Sequence, residues 1–261
     1  MKRAILVVSF GTSHPDTRAR TIDVIEQEIA QAWPDRQVYR AWTSKMIMAK
    51  LLKRDGIKIH NVREAMAQMV LDGVTDVIVQ PTHVVNGIEN DLMRQDALAF
   101  RDCFRSLTFG DPLLTTEEDA RAVLRAVTEV FSPLSEDEAV VLMGHGTEHH
   151  ANFAYAALGP LLRDMGFPNF FLGTVEAWPD LDSLLPQLRS LAPGKVHLAP
   201  FMIVAGDHAK NDLAGDEPDS WMSRLQAEGF QVECRLMGLG EYPAIRQIFL
   251  EHIRRADAEH D

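Results

Sequence analysis

Three side chains able to bind a metal or accept a proton stand far apart in the chain but in similar settings: His145, Glu176 and His208. His145 sits between Gly144 and Gly146, directly after the apolar run Val140-Val141-Leu142-Met143. That pattern reads as a buried strand stopping at a turn, with glycines that let backbone and ligand approach the imidazole. Glu176 follows a second apolar run, residues 170–175, and His208 follows a third, residues 196–199, through a short loop. If the three runs are neighbouring parallel strands, their carboxyl ends share one edge, where open α/β sheets bind ligands. Two imidazoles and a carboxylate brought together there suit Co2+, Fe2+, Ni2+ or Zn2+ and leave coordination positions free, as a closed structural site does not. Taken singly, each has a plain structural explanation: an exposed loop histidine, or a helix-capping acid.

The elements that would position these groups follow from hydrophobic period. Strands are expected at residues 4–9, 37–42, 74–80, 107–109, 140–143, 170–175, 196–199 and 231–236. Helices are expected at 17–32, 43–53, 61–71, 89–104, 116–131, 152–165, 181–191, 220–228 and 243–255. Strands alternating with helices predict an α/β fold of parallel sheets flanked by helices. The polar segment 132–138 is the natural linker, dividing the chain into lobes of residues 1–135 and 136–261.

The halves also match in sequence. Ser9-Phe10-Gly11-Thr12 aligns with Gly144-His145-Gly146-Thr147. Arg40-Ala41-Trp42 aligns with Glu176-Ala177-Trp178, and Gln80-Pro81 through Gly87 with Ala199-Pro200 through Gly206. On this alignment Phe10 stands where the second half has His145, and Arg40 where it has Glu176, so the chemistry is lodged in the second lobe. His83, at a first-lobe strand end, is expected to face the same cleft. His149 and His150 could form a metal entry point, whereas His14, His60, His197, His252 and His260 read as solvent-facing or packing residues. Met46, Met48, Met66 and Met69 fall at helical spacings and read as core. Lys45, near the carboxyl end of the second strand, could meet an anionic ligand, with Arg40 and Lys210 as further cationic candidates.

The formal net charge of −12 argues against non-specific nucleic-acid binding, which depends on phosphate neutralisation by Lys and Arg. No apolar run is long enough to span a bilayer, and the basic N-terminus runs straight into Gly-Thr-Ser without a cleavage site, so no membrane partner is expected. Cys103 and Cys234 lie far apart with no CxxC spacing, which fits a cytoplasmic protein. No GxxxxGK[ST] loop is present, and no ATP is expected. A homo-oligomer is compatible with all of this.

These residues resemble the anaerobic cobalt chelatase family of the CbiK type. The resemblance rests on Ile5-Leu-Val-Val-Ser-Phe-Gly-Thr-Ser13, Thr43-Ser-Lys-Met-Ile47, the turn Gly144-His145-Gly146-Thr147, and the loop Gly206-Asp207-His208-Ala209-Lys210-Asn211-Asp212. It spans essentially the whole chain. It implies two similar lobes with a cleft between them, related to ferrochelatase, and insertion of Co2+ into sirohydrochlorin or a related tetrapyrrole. It also implies His145, Glu176 and His208 as the metal-binding set. His145 and Glu176 are then the catalytic pair, with His145 as proton acceptor and metal contact, while Ser9, Phe10, Thr12, Arg40, Lys45 and His83 are substrate-binding candidates in the first lobe. The alternatives are an iron chelatase acting on sirohydrochlorin and a non-enzymatic carrier of metal or tetrapyrrole. A histidine phosphatase places an Arg-His-Gly at a similar strand end, but Gly144 stands where that arginine would be.

Overall fold

The computed structural model describes residues 1–258. Eight strands form two four-stranded parallel sheets. The first contains β1 (Arg3–Ser9), β2 (Gln37–Trp42), β3 (Asp76–Pro81) and β4 (Ser106–Phe109) in the order β2-β1-β3-β4. The second contains β5 (Glu138–Gly144), β6 (Phe170–Thr174), β7 (Lys195–Pro200) and β8 (Gln231–Cys234) in the order β6-β5-β7-β8. The two orders are the same topology, so the repeat seen in sequence is a repeat of fold.

Ten α-helices connect and cover the strands: α1 (Pro15–Arg20), α2 (Ile22–Ala32), α3 (Lys45–Asp55), α4 (Val62–Leu71), α5 (Ile88–Leu98), α6 (Glu117–Val130), α7 (Phe153–Asp164), α8 (Leu181–Leu191), α9 (Trp221–Ala227) and α10 (Pro243–Ala258). The expected helix over residues 17–32 is two helices. At Thr21 the backbone leaves the helical region, and the Thr21 hydroxyl bonds back to the Thr17 carbonyl at 2.7 Å, offering that carbonyl a side-chain partner in place of the next turn. The expected helix over 89–104 stops at Leu98. Met46 is exposed rather than core, because it lies in the first turn of α3 on its outer face, whereas Met66 and Met69 are buried as expected.

Strands covered on both faces read as continuous apolar runs, and the central strands divide their side chains between two cores. Ile5 and Val7 of β1 and Val140 and Leu142 of β5 enter one cluster shared by both lobes. Ala4, Leu6 and Val8 face a separate cluster with α4 and α5, and Ala139, Val141 and Met143 face another with α8 and α9. The chain position of residue 135 therefore separates the sheets but not the helices. α10, at the end of the second half, packs on α2, β3, β4 and α6 of the first.

One buried polar node ties α10 to the first lobe. His252 Nε2 lies 3.1 Å from Asp119 Oδ1, its Nδ1 lies 2.9 Å from the Asp111 carbonyl oxygen, and Arg255 bonds the same carboxylate at 3.2 Å. Asp119 also completes the capping box of α6 with Thr116. Burial pushes its carboxyl pKa upward, yet hydrogen bonds from Thr116 and His252 and the Arg255 charge hold it below the ordinary value. Replacing one member of such a pair strands the other in the core. Asp119→Ala is expected to cost about 3–5 kcal/mol, on the scale for breaking a buried ionic pair, read as a lower denaturation midpoint. Equal midpoints would remove the node from the account of the fold.

Candidate metal and macrocycle site

The second lobe builds the three chemical side chains onto one edge by backbone pairing. Beyond the last register pair, Gly144 with Thr174, the ladder continues: the Val175 N–H donates to the Gly144 carbonyl at 3.0 Å and the Glu176 N–H to the His145 carbonyl at 2.9 Å. His145 and Glu176 are thus covalent strangers held side by side. The turn tolerates no side chain at either flanking position. A Cβ at Gly144 would stand 2.8 Å from the Tyr155 ring. One at Gly146 would stand 2.9 Å from both the Ala177 nitrogen and the Thr174 side chain, at a φ of +86° that favours glycine. His208 comes from the loop after β7, just before a π-helical turn, Ala209–Leu213, a feature frequent at functional sites.

The three ligand sets close on one point. One atom from each of His145, Glu176 and His208 lies within 4.8 Å of the others. Glu176 Oε2 is 3.5 Å from His145 Nδ1, Glu176 Oε1 is 4.0 Å from His208 Nε2, and the imidazoles meet edge to face with centroids 4.6 Å apart. Donors about 2 Å from a divalent ion stand roughly 3–4 Å from one another, a spacing that Glu176 Oε1 and His208 Nε2 already meet. All three are part-exposed, which keeps the site open to exchange.

The hydrogen bonds fix which nitrogens are free. His145 Nδ1 lies 2.9 Å from the Gly146 carbonyl oxygen, which can only accept, so the proton belongs on Nδ1 and Nε2 keeps its lone pair. His208 Nδ1 lies 2.6 Å from Asp212 Oδ2, leaving Nε2 free towards Glu176. A carboxylate behind a histidine in this way orients the ring and raises its basicity toward a metal. In the sequence Asp212 is simply part of the loop after His208; its spacing of four from that residue, across a helical turn, is the available signal.

The first lobe offers no matching donors. The Ser44 N–H donates to the Phe10 carbonyl as Glu176 does to His145, so the true counterpart of Glu176 is Ser44, which caps α3, and not Arg40. Arg40 lies further back on β2, paired in register with Val7, and bonds Glu26 at 2.8 and 2.9 Å as well as Asp23. It is held in an ion-pair network rather than standing free. Ser9 and Thr12 are buried: the Ser9 hydroxyl accepts from Thr82 at 2.8 Å, and the Thr12 hydroxyl accepts the His14 N–H at 3.2 Å. Both hydroxyls are engaged by hydrogen bonds within the first lobe. Phe10 is exposed at the sheet edge, and Lys45 is exposed with no ion pair among the described residues.

His83 departs furthest from expectation. Both ring nitrogens are buried without a hydrogen-bond partner among the described residues, and burial alone pushes its pKa down to about 4. Some apolar side chains beyond the strand ends are also exposed. Met46, Ile88, Leu92, Phe153 and Trp178 are large, apolar and exposed, each shortly after a strand's carboxyl end.

A model of the cobalt chelatase (CbiK) family matches residues 3–258. The chain is 43% identical over 256 residues to a sirohydrochlorin cobaltochelatase of Salmonella typhimurium, covering 98% of this chain and 97% of that protein. It is 34% identical over 258 residues to the sirohydrochlorin cobaltochelatase CbiKC of Nitratidesulfovibrio vulgaris, covering 98% of this chain and 90% of that protein. Among solved structures, SirB of Bacillus subtilis with Fe3+ superposes with a TM-score of 0.67 at 15% identity, covering 100% of this chain and 98% of that one. That likeness establishes the fold.

Two outcomes are expected from this geometry. Asp212→Asn should weaken divalent-metal affinity by roughly 10–100-fold, measured by titration with Co2+; unchanged affinity would detach Asp212 from the site. A histidine whose folded pKa lies below its unfolded value favours the fold fully above pH 6.5 and progressively less as pH falls towards about 4. His83→Phe should therefore flatten the stability–pH curve in that window, removing a dependence of up to about 3 kcal/mol at 1.36 kcal/mol per unit. An identical slope in both proteins would contradict the burial of His83.

Proposed function

This chain belongs to the cobalt chelatase (CbiK) family, and on that premise we propose that it inserts Co2+ into sirohydrochlorin without ATP. The observation that carries the reading is the convergence of His145, Glu176 and His208 on one exposed edge of the second lobe. Insertion into a tetrapyrrole replaces the inner N–H protons with the metal, so the site must hold a partly hydrated ion and remove protons at the same place. His145 Nε2 and Glu176 are the proton acceptors, and a neutral imidazole suits that task near neutral pH. His208, steadied by Asp212, holds the ion against Glu176 until the macrocycle nitrogens displace them.

The macrocycle is flat and apolar on its faces and ringed with carboxylates. Phe10, Phe153 and Trp178 are exposed and supply apolar surface of the right kind beyond the strand ends. Lys45, exposed and without an ion pair among the described residues, is a cation for a carboxylate, which matters in a chain of net charge −12. Contacts made to a macrocycle bent towards its metallated shape would accelerate the step, whereas contacts made equally to the flat form would only bind it. Among the described residues no helix is long and apolar enough to cross a membrane, and Cys103 and Cys234 are unpaired, as a reducing cytoplasm would keep them.

The test is steady-state conversion of sirohydrochlorin to its cobalt form, followed by absorbance. His145→Ala should lower kcat by about 100-fold or more while leaving the fold intact, and rates should be higher with Co2+ than with Fe2+. Undiminished insertion by His145→Ala would sink its proposed role, and stoichiometric binding without turnover would make the protein a carrier.

A further inference from the structure

The loop that carries His208 is not held by its own lobe alone. From the first lobe, His14 Nε2 reaches Asp207 Oδ1 at 2.7 Å, and Lys210 Nζ lies 3.1 Å from His14 Nδ1. An ammonium can only donate, so Nδ1 accepts from Lys210 and the Nε2–H donates to Asp207. One imidazole thus grips the residues on both sides of the metal-site histidine. Its own loop is fixed in turn: the His14 N–H donates to the Thr12 hydroxyl at 3.2 Å, and Arg54 donates to the Ser13 carbonyl at 2.8 Å.

The same arrangement recurs across the pseudo-twofold axis. His149 occupies the repeat position of His14, its N–H donates to the Thr147 hydroxyl at 3.1 Å, and its Nε2 lies 3.4 Å from Asp91 of the opposite lobe. The threonines also match, since a Cβ at Gly206 would stand 3.8 Å from the Thr12 hydroxyl and one at Gly87 would stand 3.9 Å from the Thr147 hydroxyl. Each lobe therefore sends a Thr-x-His finger onto the other lobe's glycine loop. The two fingers are unequal. His14 has the shorter contact and a second partner, and its target loop bears the metal ligand.

We infer that His14 is a positioning residue that latches the His208 loop to the first lobe, so that the placement of His208 depends on a contact made by the opposite lobe. This rests on the reading of His208 as a metal ligand. The latch lies at the surface, where exposed pairs contribute little to global stability. Its loss should therefore move the loop without unfolding the protein.

Hydrogen exchange and chelation kinetics on the full chain test this. In His14→Ala, exchange should quicken in the segment 206–213. The KM for Co2+ should rise about 10-fold, as for loss of a group that orients a metal ligand, with the KM for sirohydrochlorin little changed and Tm within about 2 °C. His14→Gln, which keeps one donor and one acceptor, should restore both readouts, and Lys210→Met should fall between. Unaltered exchange and KM in His14→Ala would overturn the latch, as would equal rises in both KM values or failure of Gln to rescue. A wild-type chain that never metallates sirohydrochlorin would refute the chelatase reading, while the exchange comparison would still decide the latch.

Discussion

The hydrogen bond from the Glu176 N–H to the His145 carbonyl is the constraint on which the site depends. Parallel strands end on a common edge, and this bond carries the ladder one step past the last strand residues. The imidazole of His145 and the carboxylate of Glu176 are thereby held in neighbouring rows by the backbone alone. The price is steric: both residues flanking His145 must be glycine, because Tyr155 on one side and Thr174 with Ala177 on the other leave no room for a Cβ. The sheet positions the chemistry, and the glycines allow it to be that close.

What surrounds the edge follows from the way the cores are shared. The inner faces of both sheets and the whole apolar face of α10 enter one cluster. Relative motion of the lobes must therefore shear a close-packed core, and cores of that density resist deformation. Rigid walls suit a site meant to act on a stiff, flat ligand. The loops beyond the strand ends carry His208, Trp178 and Phe10.

The alternation of strands and helices, the two-lobed repeat and the meeting of His145, Glu176 and His208 were legible because each leaves a local trace: an apolar run, a glycine turn, a polar residue just beyond it. What failed did so for identifiable reasons. Aligning Arg40 with Glu176 relied on a shared Ala-Trp pair, but register is set by backbone bonds, which place Ser44 opposite Phe10 and send Arg40 inward to Glu26 and Asp23. Ser9, Thr12 and His83 share the edge's sequence signature yet point into the protein, and inward or outward direction at a strand end is decided by the next element to pack there. His14 and His252 were read as ordinary because their partners, Asp207 and Asp119, are 193 and 133 residues away.

The matched Thr12–Gly206 and Thr147–Gly87 approaches show that the chain is put together as an isologous pair, like a symmetric dimer whose subunits share one polypeptide. In a true homodimer every substitution occurs twice, so a metal site at the edge would come with an identical twin facing it. Joining the halves lifts that obligation. One half can keep histidine where the other has Phe10, so a ligand lying between them meets donors on one face and an apolar wall on the other.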